Sequence, residues 1–144
     1  MSDDLDRMAE ELQEALLEGY SQEARDEFLH PRNVGRLDAP DGYSKITGVC
    51  GDTVEMYLSI AKGKVTDAKF MTDGCGSTVT CASYVTRLAK GRTPQAASGI
   101  TPEDVDGYFG GLPEESRHCA VLAVSALRAA IENYRRSGDP RRPS

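Results

Sequence analysis

The sequence predicts an α+β fold, in which a small three-stranded antiparallel sheet carries helices on one face and the chain closes with a long helix. Two observations support this fold class. Apolar and polar residues alternate over residues 53–60 and 65–72, on either side of a glycine-containing turn, as they do in paired strands. Apolar residues then recur at helical spacing over residues 77–90 and 117–135. A chain of 144 residues is long enough for one such domain with its own core.

The amino-terminal region is acidic and has a helical pattern. Residues 3–18 predict an amphipathic helix, and residues 1–20 as a whole form an acidic extension ahead of a single domain over residues 21–136. A short second helix is predicted over residues 21–29. Residues 30–42 are rich in turn formers and predict an irregular connection. The apolar positions of the first helix are Leu5, Met8, Leu12, Ala15 and Leu16.

The predicted strands are short and closely linked. Residues 53–60 and 65–72 are separated by Lys62-Gly63-Lys64, which predicts a tight turn, and residues 45–49 predict a third, shorter strand. Such short links favour an antiparallel meander. After the sheet, the apolar stripe of residues 77–90 ends at Gly91, as helices commonly do. The apolar side chains of the first alternating run share one face: Val54, Met56, Leu58 and Ile60.

Charge and hydropathy exclude several classes of protein. The formal net charge is −6, and the acidic excess lies within residues 1–30, so the remainder lacks the basic surface that nucleic acids require. Residues 137–144 predict a basic, flexible tail. No apolar run approaches the roughly 20 residues that span a bilayer. The acidic start lacks the apolar region of a secretory signal, which predicts a cytoplasmic protein.

Three short motifs carry the candidate chemistry. They are Cys50-Gly51-Asp52, Gly74-Cys75-Gly76 and His118-Cys119, and each lies at a predicted strand end or helix start. Together they supply three thiols, an imidazole and a carboxylate, which is one ligand more than a four-coordinate site needs. Thiolates suit zinc and iron–sulfur clusters, and a spare ligand indicates a site that can release what it binds. The helix starts at Cys75 and Cys119 are expected to favour their thiolates.

Other interpretations of single residues are also open. Cys81 lies on the apolar stripe with Val85 and is predicted to be a core residue. Asp52 alone could cap a turn, and His118 alone could face water at a helix start. His30, which precedes a proline, is predicted to be structural or exposed.

Five motifs occur in a specific order along about residues 20–136: His30-Pro31-Arg32-Asn33-Val34-Gly35, Cys50-Gly51-Asp52, Asp67-Ala68-Lys69-Phe70, Gly74-Cys75-Gly76-Ser77 and His118-Cys119. In this order the chain resembles the NifU/IscU-type scaffold proteins on which iron–sulfur clusters are assembled. The resemblance implies that the three cysteines of the motifs bind a transient two-iron two-sulfur cluster and accept sulfur, with Cys119 the favoured acceptor. His118 corresponds to an alternative ligand, and Asp52 to an aspartate whose replacement tends to trap the cluster.

The resemblance also implies partners. They are a cysteine desulfurase that supplies persulfide sulfur and apo iron–sulfur proteins that receive the cluster, with no membrane or nucleic acid involved. The family's chaperone-binding Leu-Pro-Pro-Val-Lys is replaced by Leu112-Pro113-Glu114-Glu115-Ser116, which argues against recognition by the specialised chaperone. The sequence does not decide between a monomer and a homodimer.

Two functions of different kinds follow. The first is a scaffold, which binds and assembles its cargo without being an enzyme. The second is a zinc-dependent sulfurtransferase of the same superfamily, in which zinc occupies the site in place of iron and the cluster. The histidine before Cys119 and the short separation between Cys75 and Cys119 favour the scaffold.

Overall fold

The computed structural model describes residues 4–8 and 20–137 of the chain. Residues 4–8 are helical, with Leu5 and Met8 largely exposed, and the rest of the predicted first helix lies outside the described residues, as does the tail after residue 137. The elements in chain order are α1 (Gln22–Leu29), β1 (Gly42–Thr47), β2 (Thr53–Ala61), β3 (Lys64–Thr72), α2 (Gly76–Ala89), α3 (Pro94–Ser98), α4 (Pro102–Tyr108), a 3₁₀ turn (Glu114–Ser116) and α5 (Arg117–Ser137).

The α+β class, the three-stranded sheet and the long last helix are confirmed. The strands pair antiparallel in the order β1-β2-β3, and β2 and β3 are joined by the two residues Lys62 and Gly63. Both of these residues have positive φ, as a type I′ hairpin turn requires. A register shift between Ser59 and Ile60 ends the strict alternation, so Ile60 is only half-buried.

Two sequence expectations differ from the structure. The third strand was expected over residues 45–49 but spans Gly42–Thr47, because its pairing with β2 begins at Gly42 and the chain turns away after Thr47. The helix α3 was not expected, although it starts with the same signal as α4: a threonine that caps the helix with its side chain, followed by a proline.

The core lies between one face of the sheet and the helices α2 and α5. Helix α5 runs along β1 in the opposite direction, with Leu122 beside Gly48, Ala126 beside Ser44 and Ala130 beside Gly42. At Gly42 a side chain would collide, since a Cβ there would lie 2.5 Å from the carbonyl oxygen of Ala130. This close packing brings the start of α5 to the edge of the sheet where β1 ends. None of the described helices is both long and apolar enough to cross a membrane.

A buried carboxylate attaches α1 to the body of the domain. Glu27 is 1% exposed, and its two oxygens contact Arg87 Nη2 at 2.7 Å and Arg32 Nη1 at 3.2 Å. The Ser83 hydroxyl also donates to it. A buried carboxylate is stable only with such partners, so this cluster fixes α1 and the segment after it against α2.

We therefore expect Glu27→Ala to lower the free energy of unfolding by about 1–2 kcal/mol, because Arg87 and the buried Ser83 hydroxyl lose their carboxylate partner, whereas Arg32 keeps Asp26. Urea denaturation followed by circular dichroism measures this loss. Glu23→Ala, at an exposed position of the same helix, is the control and should cost less than about 0.5 kcal/mol. Equal losses in the two variants would contradict this account of the α1 attachment.

Candidate functional site

The candidate site lies at one edge of the sheet, where four chain segments meet. The loop of residues 48–52 joins the end of β1 to the start of β2, and β3 ends beside it at Thr72. The chain then enters α2, for which Cys75 is the residue immediately before the helix. Helix α5 begins at Arg117, so His118 and Cys119 lie in its first turn. The topology therefore brings the three sequence motifs to the same place.

The hydroxyl group of Thr78 lies at the centre of this edge. Its oxygen is 2.9 Å from Asp52 Oδ2, 3.4 Å from Cys119 Sγ and 3.8 Å from Cys75 Sγ. Thr78 has no exposed surface and lies one helical turn after Cys75, on the same side of α2. A hydroxyl has a single hydrogen to donate, and the shortest of its contacts is the one to the carboxylate.

The two remaining candidate residues join the same group. His118 Nε2 lies 3.6 Å from Cys119 Sγ, and Cys50, two residues before Asp52 in the same loop, helps to lower the pKa of the Asp52 carboxyl group. Four of the five residues singled out from the sequence are thus linked through contacts with Thr78 or Cys119, and Cys50 lies in the loop beside them. The other interpretations of Asp52 and His118, a turn cap and a water-facing residue, do not account for these contacts.

The three thiols differ in their exposure. Cys50 and Cys75 are exposed, whereas Cys119 is completely buried. Asp52 and His118 are intermediate. The site in this state is therefore half open, with two thiols that solvent reaches and a third covered by its neighbours.

Hydrogen bonds favour the charged forms of Asp52 and Cys75. The Thr78 hydroxyl has the largest effect on Asp52 and lowers the pKa of its carboxyl group; burial opposes this, and the backbone N–H of Cys75 adds to it. At Cys75, burial alone would raise the pKa of the thiol, but hydrogen bonds from Thr78 and from the backbone N–H of Ser77 outweigh it. The pKa of Cys75 is therefore lowered, as expected for a thiol at a helix start.

The same expectation is wrong for Cys119. Burial raises the pKa of its thiol to about 11, and the neighbouring thiols of Cys75 and Cys50 add to the effect. The helix dipole acts on both cysteines, but at Cys119 the loss of hydration is the larger effect. Cys119 is consequently a neutral thiol near neutral pH.

The donor set fits a soft metal ion or a sulfide cluster in its chemistry, since thiolates and imidazole are the ligands these prefer. The distances are those of an open arrangement. Within residues 4–8 and 20–137, no three histidine, cysteine or carboxylate side chains are grouped closely enough to hold a metal ion as they stand. Loading the site would therefore require the candidate ligands to come closer to one another.

Proteins of known family resemble this chain in sequence. Residues 19–139 match the family described as the NifU-like N terminal domain. The chain belongs to this family. The iron–sulfur cluster assembly scaffold protein IscU 1 of Archaeoglobus fulgidus is 40% identical over 116 residues, which cover 80% of this chain and 76% of the relative. The scaffold protein IscU of Azotobacter vinelandii is 38% identical over 121 residues, which cover 81% of this chain and 94% of the relative.

A solved structure supports the fold independently. The amino-terminal part of a NifU-like protein from Brucella abortus superposes with a TM-score of 0.67 at 21% identity, over 80% of this chain and 93% of that one. At 21% sequence identity, this similarity shows a shared fold and nothing about function. Within it, this NifU-like chain has Cys81 completely buried in the core, as its position on the apolar stripe predicted, and His30 exposed.

Sequence reasoning did not identify the polar residues that surround the ligand set of this NifU-like domain. The Tyr20 hydroxyl contacts the hydroxyls of Ser77 and Ser116, which are themselves 2.9 Å apart, and so ties the start of α2 to the turn before α5. The position of Thr78, three residues after Cys75 in a predicted helix, was the one available signal for its role. The serines and Tyr20 gave none, because only the tertiary structure brings them together.

We expect the native, metal-free protein to be alkylated at Cys75 at much lower pH than at Cys119. The thiolate is the reacting form. At a solution pH below the pKa of the thiol, the rate of alkylation therefore falls about tenfold for each unit by which the pKa exceeds the pH. Iodoacetamide labelling from neutral pH to about pH 11, read by peptide mass spectrometry, measures both profiles. Urea-unfolded protein is the control, in which the two profiles should coincide. Equal rates in the native protein would contradict the assigned burial of Cys119.

Proposed function

We propose that this protein is a scaffold on which an iron–sulfur cluster is assembled and from which it is passed to apo-proteins, a binding and assembly role rather than enzymatic turnover. Membership of the NifU-like family and identities of about 40% to proteins named as IscU scaffolds support it. The observation that carries the proposal is the convergence of two thiols and the Asp52 carboxylate on the Thr78 hydroxyl at one sheet edge, with His118 beside Cys119 and Cys50 in the same loop as Asp52.

The proposed cargo is a two-iron two-sulfur cluster. Cys50, Cys75 and Cys119 would provide thiolate ligands, and His118 would be the alternative ligand at the fourth corner. With Asp52 the set has five ligands, so one can leave while the cluster stays bound. This property suits a protein that must give up its cargo, whereas a permanent structural zinc site is normally closed by four ligands.

Sulfur is proposed to arrive as a persulfide on a cysteine desulfurase. A thiolate of the scaffold attacks the outer sulfur, the sulfur–sulfur bond breaks, and the desulfurase cysteine leaves as a thiolate. Cys119 is the proposed acceptor. Its burial adds a condition, namely that docking of the desulfurase uncovers this thiol, whereas the exposed Cys75 is open to small donors at all times.

Asp52 is proposed to keep the cluster labile. A carboxylate is a hard ligand within a soft set, and it keeps the site polar and accessible to water and to the thiols of an acceptor protein. Its ionised form is favoured by the hydrogen bonds described above.

We expect Asp52→Ala to build the cluster and to release it several-fold more slowly. The experiment is anaerobic reconstitution with desulfurase, cysteine and ferrous iron, followed by transfer to an apo-ferredoxin, with circular dichroism reporting the half-time. Asp67→Ala, which removes a carboxylate at the far end of β3, is the matched control and should transfer like the unmodified protein.

Two results would count against the proposal. Failure of the unmodified protein to acquire iron with acid-labile sulfide would refute the scaffold function, and zinc-bound protein that accelerates the desulfurase without forming a cluster would favour the sulfurtransferase. Faster transfer by Asp52→Ala, or its failure to bind a cluster, would instead make Asp52 an indispensable ligand.

A further inference from the structure

The loop that carries Cys50 and Asp52 is held mainly by its own hydrogen bonds. The Gly48 N–H donates to the Asp52 carbonyl oxygen at 2.8 Å, and the Gly51 N–H donates to the Gly48 carbonyl oxygen at 3.0 Å. These bonds close residues 48–52 on themselves and do not attach the loop to α2. Its place beside the other site residues therefore depends on side-chain contacts, chiefly those of Asp52.

The contact between Asp52 and Thr78 is the strongest attachment between this loop and α2. Its oxygens are 2.9 Å apart, it joins positions 26 residues apart in the chain, and its donor has no exposed surface. A hydrogen bond to an ionised carboxylate is about twice as strong as one between neutral groups.

A glycine makes room for this contact, which is an independent sign that the structure depends on it. A Cβ at Gly74 would lie 2.8 Å from Asp52 Oδ2 and 2.9 Å from Thr78 Oγ1, closer than real Cβ atoms approach. Any side chain at residue 74 would push the carboxylate and the hydroxyl apart. Because Gly74 has no side chain, the Asp52 carboxylate can approach α2 and accept the hydrogen bond from Thr78.

The geometry points to Thr78 as a positioning residue, whose hydroxyl holds Asp52 and the loop carrying Cys50 against α2, beside Cys75 and Cys119. The effect of the Thr78 hydroxyl on cluster release rests on the proposed scaffold function. Its effect on the position of the loop does not depend on that function. Without the hydroxyl, the loop of the metal-free protein is freer to move. In the loaded protein Cys50 still binds the cluster, and only the Asp52 carboxylate turns away from it. Removing the Thr78 hydroxyl should then resemble removing Asp52 itself.

The first test uses metal-free protein and needs no cluster. Thr78→Val should speed amide hydrogen exchange at Gly48 and Gly51, whose N–H groups close the loop, by about threefold to tenfold, as measured by NMR. Thr78→Ser keeps a hydroxyl and should restore the original rates. Thr80→Val is the matched control, because Thr80 is equally buried in α2 and its hydroxyl bonds only to the carbonyl oxygen of Gly76.

The second test is a double-mutant cycle on cluster transfer to apo-ferredoxin. Thr78→Val should lengthen the half-time toward that of Asp52→Ala, and in the Asp52→Ala protein the same change should have no further effect. Thr78→Ser and Thr80→Val should transfer at the original rate.

The outcomes separate this inference from the proposed function. Unchanged exchange in folded Thr78→Val, equal acceleration in Thr80→Val, no rescue by serine, or an effect that adds to that of Asp52→Ala would each overturn the role of Thr78. Should Thr78→Val fail to fold, Asp52→Ala removes the same bond from the other side, and unchanged exchange at the Gly48 and Gly51 amides would refute the attachment. A protein that shows the exchange pattern but never binds a cluster would refute the scaffold function alone.

Discussion

The close packing of α5 against β1 determines where the site forms. Leu122, Ala126 and Ala130 follow one another at intervals of about one helical turn and meet Gly48, Ser44 and Gly42, in and just after the strand. This stripe aligns the helix with the strand and places its first turn at the sheet edge where β1 ends. Cys119, three residues before Leu122, is thereby placed beside the loop of residues 48–52 and the start of α2.

The same packing explains why the site is half closed. A thiol in the first turn of a helix ordinarily gains acidity from the helix dipole, but Cys119 lies against the core and its loss of hydration prevails. Cys75, which is exposed just before the start of α2, keeps the advantage. Under the proposed scaffold function, one protected thiol beside two accessible ones would delay cluster assembly until a sulfur donor has docked.

The sequence was a good guide wherever a short-range pattern decides the structure. Alternation in β2 and β3, the Lys62-Gly63 turn and the apolar period of α2 and α5 depend on neighbouring residues, so their elements were predicted to within a few positions. The convergence of the three cysteine motifs also followed from their places at element ends.

The rest depends on contacts between distant segments. The pKa of Cys119, the buried Glu27 with its two arginines, and the hydrogen bonds of Thr78 and Tyr20 each require a partner more than a few residues away, in one case 96. Burial and the pairing of polar groups are properties of the folded core, and no local pattern encodes them. For Cys119, the rule that a helix start lowers the pKa of a thiol gave the wrong direction, because that rule takes no account of how deeply the helix start is buried.

On the proposed scaffold function, the covered thiol of Cys119 takes up the sulfur from which the cluster is built, once a partner has uncovered it. The decisive experiment is persulfide mapping by mass spectrometry, on metal-free protein given either a small-molecule persulfide or a cysteine desulfurase with cysteine. We expect labelling of Cys75 by the small donor and of Cys119 by the desulfurase. Labelling confined to Cys50 or Cys75 with the desulfurase present, or no persulfide on any of the three, would contradict it.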